Sequence, residues 1–247
     1  SDFKEIDFPS SVRTIGDYAF SNSALKRLEL PSSVESIGEN AFADCTSLES
    51  ADVGGAVKIG KFGFSRDSAL KTVNLHPELN KLKEIGAYAF EYSGLEKAMT
   101  PDSLATIGQY AFIGNQSLLE IRLGSGLATI EEMALADTPK LRSIEVAEGN
   151  PVFSDDSRKM LYAKRENGLH LVACAGGSVG SDVRVKDGTV AIGDSAFFGV
   201  TSMRSLHLPE GLKTLGSRSF EEATNLSNVD FPDSLEVVGG FNRINSL

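Results

Sequence analysis

The sequence contains no tryptophan, two cysteines, three histidines, and no apolar run approaching the roughly 20 residues of a membrane-spanning helix. Each shortage removes a class of function. Cys45 and Cys174 alone do not make a disulfide framework. His76, His170 and His207 lie in different segments, and no H-E-x-x-H, C-x-x-C, G-x-x-x-x-G-K or G-x-S-x-G motif occurs. No metal, cofactor or catalytic site is expected. Basic charge is also short: 24 Lys and Arg stand against 34 Asp and Glu, a net charge of −10. Nucleic-acid binding needs a basic face to displace counterions, so it is not expected. An acidic surface favours solubility and attracts basic partners. The glycine-rich stretches GGAVKIG and AGGSVG lack the strand–GxGxxG–helix context of a dinucleotide site.

The remaining candidates for chemistry fail on spacing. His170 and Cys174 fall on one predicted strand at i, i+4, which places them on one face about 13 Å apart. That is too far for a base and its nucleophile. Cys45, in AFADC, reads as a buried core thiol. Glu131-Glu132, Asp155-Asp156 and Glu221-Glu222 are adjacent in sequence and do not converge on one reacting atom.

What the sequence does have is repetition. IGDYAF, IGENAF, IGAYAF and IGDSAF begin at residues 15, 37, 85 and 192. Aligned on this motif, starts fall at Ile15, Ile37, Ile59, Ile85, Ile107, Ile130, Ile192, Leu215 and Val238, spaced by 22, 22, 26, 22, 23, 62, 23 and 23 residues. A period near 23 predicts a solenoid. Upstream of each start lies L-x-x-[ILV]-x-[LFV], as in LKRLEL at 25–30 and MRSLHL at 203–208. Its period-two ending predicts a short strand with one buried face. Pro9, Pro31, Pro101, Pro209 and Pro232 follow such strands, and proline ends a ladder because it has no N–H. A second short strand is expected around Val12–Ile15 and its equivalents, on the opposite wall. Ala-Phe then turns the corner, and Phe20, Phe42, Phe64, Phe90, Phe112, Phe197 and Phe220 are expected to stack inside. The motif glycines suit either positive φ or close backbone approach.

The full pattern, L-x-x-I-x-L-P-x-x-V-x-x-I-G-x-x-A-F, resembles the BspA-like class of bacterial leucine-rich repeats over essentially the whole chain. The resemblance implies a leucine-rich-repeat solenoid of about ten repeats, forming one domain over 1–247. It also implies a non-enzymatic, cell-surface or secreted module that binds host or neighbouring-cell proteins. No signal peptide opens the chain, which begins inside a repeat, so the true N-terminus is expected upstream. The closing GGFNRINSL reads as an unfinished repeat, so either the array continues or the stack stops abruptly.

The 62-residue gap exceeds two periods and holds NPVFSDDSRKMLYAKRENGLHLVACAGG at 150–177. Asn167-Gly168 between apolar runs predicts a hairpin of Met160–Lys164 and Leu169–Cys174. A hairpin-containing insertion over 147–179 is therefore expected, projecting from or appended to the coil. The resembling family often carries such an NPxF…LY hairpin. Cys45 and Cys174, five or six turns apart, would be roughly 25 Å apart and remain free thiols.

In L-x-x-I-x-L the third and fifth positions point away from the core. They vary while their neighbours do not, and solenoids commonly bind on this face. The candidate concave-face residues are Asp7, Arg27, Glu29, Asp52, Asn74, Lys97, Met99, Arg122, Glu145, Arg184 and His207. Asp7, Glu29 and Asp52 are expected side by side in one ladder with only Arg27 as a compensating charge. Arg122, Glu145 and Arg184 alternate in sign and are expected to satisfy one another. The acidic trio suggests a protein partner with a basic segment, such as a host extracellular or matrix protein, met by a monomer. A glycan-binding protein and a structural spacer are the alternatives. Tyr18, Tyr88 and Tyr110 all precede Ala-Phe, away from the concave columns, which leaves that face few aromatic platforms for sugars.

Overall fold

The computed structural model describes residues 4–157 and 159–240. The chain winds as a parallel-strand β-solenoid of about ten turns, without helices among the described residues. Each turn contributes to two walls. The L-x-x-I-x-L segments make a front wall of three short sheets. The first holds Arg27–Glu29, Ser50–Asp52 and Thr72–Asn74. The second holds Lys97–Met99, Glu120–Leu123 and Ser143–Val146. The third holds Asp182–Arg184, Ser205–His207 and Asn228–Asp230. The Ile-Gly segments make a back wall, in which two-residue strands from Thr14–Ile15 to Thr129–Ile130 form one parallel sheet.

Between the walls, the apolar positions stack by kind. Phe20, Phe42, Phe64, Phe90 and Phe112 lie nearly parallel, with successive centroids 5.2–5.4 Å apart. Phe197 and Phe220 continue the column at 5.8 Å after an interruption where Leu135 stands in place of phenylalanine. Leu25, Leu48, Leu70, Leu95 and Leu118 are fully buried beside them. One turn exposes all of this surface; stacked turns bury it, so stability comes from neighbour contacts.

The two functions open to the motif glycine are now separable. A Cβ on Gly60 would fall 2.6 Å from the carbonyl carbon of Gly38, and one on Gly86 would fall 2.8 Å from that of Gly60. Close approach is therefore the requirement. The positive φ belongs two residues later, at Tyr18, Asn40, Phe62, Tyr88, Tyr110, Met133, Ser195 and Arg218, all between 52° and 58°.

The insertion is built into the coil and does not project from it. Phe153–Asp156, Met160–Arg165 and Gly168–Cys174 form an antiparallel meander whose last strand pairs in parallel with Thr189–Ile192 of the back wall. Leu171 is paired with Ile192 and so takes a repeat's place in that wall. Leu161 and Ala163 pack into the core of the earlier turns, whereas Met160 and Tyr162 pack into that of the later turns. The meander is thus a septum, apolar on both faces because each meets a core. The turn also differs: Arg165 pairs with Gly168, so Glu166-Asn167 is the two-residue loop and Gly168 sits outside it at φ 135°. A bulge at Val172 reverses the facing along the last strand, since Tyr162 opposes Leu171 but Leu161 opposes Ala173. Cys174 therefore faces the later core with Leu171, and His170 does not share its face. Both cysteines are free and buried.

Candidate binding face

The front wall presents its third and fifth positions outward, as the alternation requires. Leu28, Ala51, Ala98, Ile121, Ile144, Val183 and Leu206 are buried, while Arg27, Glu29, Lys97, Met99 and Arg184 beside them are exposed. Asp52, Arg122, Glu145 and His207 are half-buried and Asn74 is exposed. In register, Glu29, Asp52 and Asn74 form one row, Met99, Arg122 and Glu145 a second, and Arg184, His207 and Asp230 a third.

Asp7 is exposed and lies in no assigned strand, but it lines a hollow with Arg27 and Glu29 at the end of the first row. Two expectations about these rows are corrected. The acidic residues of the first row are compensated: Arg27 meets Glu29 at 2.5 Å, and His76 Nε2 meets Asp52 Oδ1 at 2.5 Å. Asn74 donates to the other oxygen of Asp52 at 3.0 Å. Arg184 is not beside Glu145, because the septum intervenes and places Asp156 and Lys159 against the strand of Arg184. Arg122 instead reaches Asp102 at 3.6 Å and the carbonyl of Thr100 at 3.3 Å. Lys97 pairs with Glu120 at 2.9 Å.

The front ladder opens between Thr72–Asn74 and Lys97–Met99. The repeat here is 26 residues rather than 22, and the extra chain follows His76. A groove of ≈ 440 Å³ runs across the first front sheet to this opening, lined by Glu29, Asp52, Asn74, Leu75, Pro77 and Met99 among others. Met99 is 44% exposed, the apolar floor of an otherwise polar rim. His76, at φ 48°, folds back so that its ring lies between two carboxylates, Asp52 at 2.5 Å and Glu78 at 2.6 Å. Partial burial disfavours its charged form, but the hydrogen bonds to Asp52 and Glu78 outweigh that and hold its pKa above the ordinary histidine value. The same bond holds Glu78 below the usual carboxylate range. On the third sheet His207 bridges Asp182 at 2.7 Å and Asp230 at 2.9 Å.

Sequence reasoning named His207 but treated His76 as a lone histidine. Glu78, Asp182 and Asp230 were not among the site residues. The available signal was the long repeat itself, which places an imidazole just beyond the fifth-position column. Nothing in the arrangement activates a nucleophile. Burial pushes the Cys174 thiol up to about 12 and raises that of Cys45, which donates to the carbonyl of Phe20. Among the described residues no group of histidine, cysteine and carboxylate side chains has metal-binding geometry. Among the same residues no helix is long and apolar enough to cross a membrane.

Solved structures share this architecture. A leucine-rich repeat protein from Eubacterium ventriosum superposes with a TM-score of 0.70 at 22% identity, covering 85% of this chain and 61% of its own. A leucine rich cell surface protein from Faecalibacterium prausnitzii gives 0.65 at 22% identity, covering 91% and 66%. The pneumococcal vaccine antigen PcpA gives 0.62 at 22% identity, covering 85% and 61%. The chain thus spans less than two thirds of each of these structures. No curated protein sequence matches it. The model of the BspA type leucine rich repeat region matches in 6 copies over residues 1–84, 55–157 and 178–245. With its Ile-Gly back wall, its stacked phenylalanines and this match over most of its length, the chain belongs to the BspA-type leucine-rich repeat family.

Proposed function

We infer that the chain is a cell-surface or secreted binding module that recognises a protein partner through its front wall. We take residues 1–247 as one domain, monomeric, with 147–179 inserted within it. The observation that carries this reading is the groove between Asn74 and Met99. It offers an apolar floor at Leu75, Pro77 and Met99, rimmed by Glu29 with its partner Arg27 and by Asp52 and Asn74. Glu78 adds a further exposed carboxylate at its edge. This chemistry suits a segment with one apolar anchor and adjoining Lys or Arg, as on an extracellular or matrix protein. The named relatives, a cell surface protein and a vaccine antigen, support the location.

The glycan alternative is weakened by geometry. Phe62, Tyr88 and Tyr110 form a surface ladder, but they stack on one another at 4.7 and 4.8 Å, so most of their faces are covered. The test is binding of the chain to a panel of basic extracellular proteins at low and high salt. A partner should be weakened about tenfold or more by Met99→Ala. It should also lose salt sensitivity in Glu29→Gln with Asp52→Asn. Equal binding by all variants would refute the front-wall reading, and glycan binding without protein binding would favour the alternative.

A further inference from the structure

The corners form a hydrogen-bonded ladder of their own, and it is broken at one level. Tyr88, Phe90 and Tyr92 donate to the next turn's Gln109, Ala111 and Ile113 at 2.8–2.9 Å. Tyr110, Phe112 and Gly114 then donate to Glu132, Ala134 and Ala136 at 2.9–3.2 Å. The next three N–H groups in this series belong to Met133, Leu135 and Asp137. Among the described residues, none of the three has an acceptor. The ladder resumes at Ser195, Phe197 and Gly199, which donate to Ser217, Ser219 and Glu221. The carbonyls of Asp194, Ala196 and Phe198, which face the break, have no donor.

The septum causes the break. Leu171 supplies the back-wall level next to Ile192, and Thr129–Ile130 is left unpaired on that side. A repeat would then swing out through its corner. This strand runs straight on through Val172–Cys174 instead. One level of wall therefore exists without its corner, so the corners around Met133 and Ser195 face each other across a step lined also by Val172, Ala173 and Cys174.

Two further features lie in the step. A cavity of ≈ 20 Å³, enclosed by residues including Met133, Leu135, Cys174 and Phe198, receives Ser195. Ser195 is 5% exposed, and its hydroxyl has no hydrogen-bond partner. A buried polar group left unpaired is costly, and native proteins rarely keep one without a use. Beside the cavity runs an open groove of ≈ 260 Å³, bordered by Glu131, Glu132, Asp194, Arg165 and His170.

The ligand that matches must carry acceptors along one edge and donors along the other, each repeating every second residue. An extended polypeptide has that pattern. The cavity has room for about one small group, so the residue facing it must be Gly, Ala or Ser. Three carboxylates against one guanidinium and one imidazole make the groove net acidic. We propose that this step binds an extended, small-residue segment of a partner protein, flanked by Lys or Arg, which completes the missing corner. The site is separate from the front wall and does not depend on the reading given for it.

The test uses the whole chain. A random heptapeptide display library is selected on it, and the selected sequences are synthesised. Ser195→Tyr is the blocking variant, since tyrosine already occupies that repeat position at Tyr18, Tyr88 and Tyr110. Selected peptides should carry small residues at alternate positions and bind Ser195→Tyr at least tenfold more weakly. They should bind Glu29→Gln with Asp52→Asn unchanged. N-methylation of every second peptide nitrogen should abolish binding in one register and spare it in the other. In the free chain the amides of Met133, Leu135 and Asp137 should exchange with deuterium at least a hundredfold faster than those of Tyr110, Phe112 and Gly114, and the peptide should protect them. Amides already protected in the free chain would overturn the proposal. So would peptides that ignore Ser195→Tyr, or self-association lost in that variant, which would place a second copy in the step.

Discussion

The motif glycines and the residue two places after each have opposite backbone demands. Gly60 needs its small size because the backbone of Gly38 lies against it, whereas nothing stands within 4 Å of a Cβ on Gly16. Gly60→Ala should therefore lower stability by about 2 kcal/mol or more, while Gly16→Ala stays within about 0.5 kcal/mol. Chemical denaturation of the two variants checks this pair; equal losses would show that turn conformation, not proximity, governs the column. His76 gives a prediction in pH. Its pKa is raised in the folded state, so its contribution is fully present below the unfolded value and is lost as pH rises through the folded one. His76→Gln should thus cost more stability at pH 5 than at pH 8, by some tenths of a kcal/mol for so open a site. A difference that grows with pH instead would contradict the clamp. None of this was legible from the three histidines as letters. Their roles depend on which turn brings a carboxylate 24 or 25 residues distant alongside, as with His76 and Asp52 or His207 and Asp182.

Among the elements, the septum repays the closest comparison with its sequence. The two apolar runs and the Asn-Gly pair revealed a hairpin, and the strands fall where those runs are. What they did not reveal is the burial of both faces. Alternation in MLYAKR marks Leu161 and Ala163 against Met160 and Tyr162, but all four are apolar or aromatic, so the pattern names no solvent side. Only the arrival of a core on each side decides. The bulge at Val172 was equally hidden, since one extra residue changes facing without changing composition. Tyr162 anchors the element: it is fully buried, and its hydroxyl accepts from the Lys186 N–H at 3.2 Å. Burial pushes its pKa up to about 12. Tyr162→Phe leaves that N–H without its partner and should cost about 1–2 kcal/mol, read as a shift in denaturation midpoint at constant slope. A neutral result would mean that water replaces the bond.

For the whole molecule, the repeat made the architecture legible and the interruption made it uneven. The apolar residues form two clusters, one from Ile15 to Ala175 and one from Met160 to Leu226, which meet at the septum. Solenoid stability is a sum of turns and their contacts, so a weak junction lets the two parts open separately. Hydrogen exchange under mild denaturant should show two blocks. Phe90→Ala, in the uninterrupted stack, should cost about 3–5 kcal/mol in the first block. The protection of the second block should scarcely change. Uniform loss across both would show that the septum transmits as well as it divides. The front wall is less legible than the back for the same reason. Its strands alternate as the motif requires, but their ion pairs depend on where the ladder opens, and the openings arise from the 26-residue repeat and the septum rather than from the motif.

The glycine column has a consequence for how such a chain can change over time. Backbone against backbone, as at Gly38, Gly60 and Gly86, sets the rise of each turn with no side chain free to adjust it. The molecule is in effect a ruler graduated in single strands. Losing or duplicating a repeat between Met99 and the septum would move the groove at Met99 relative to the step at Ser195 by one graduation, about 4.8 Å, and by nothing in between. Intermediate lengths have to be absorbed in a loop outside the column, as the 26-residue repeat does after His76. A lineage can therefore alter the distance between two ligand contacts in discrete steps while leaving the chemistry of each untouched.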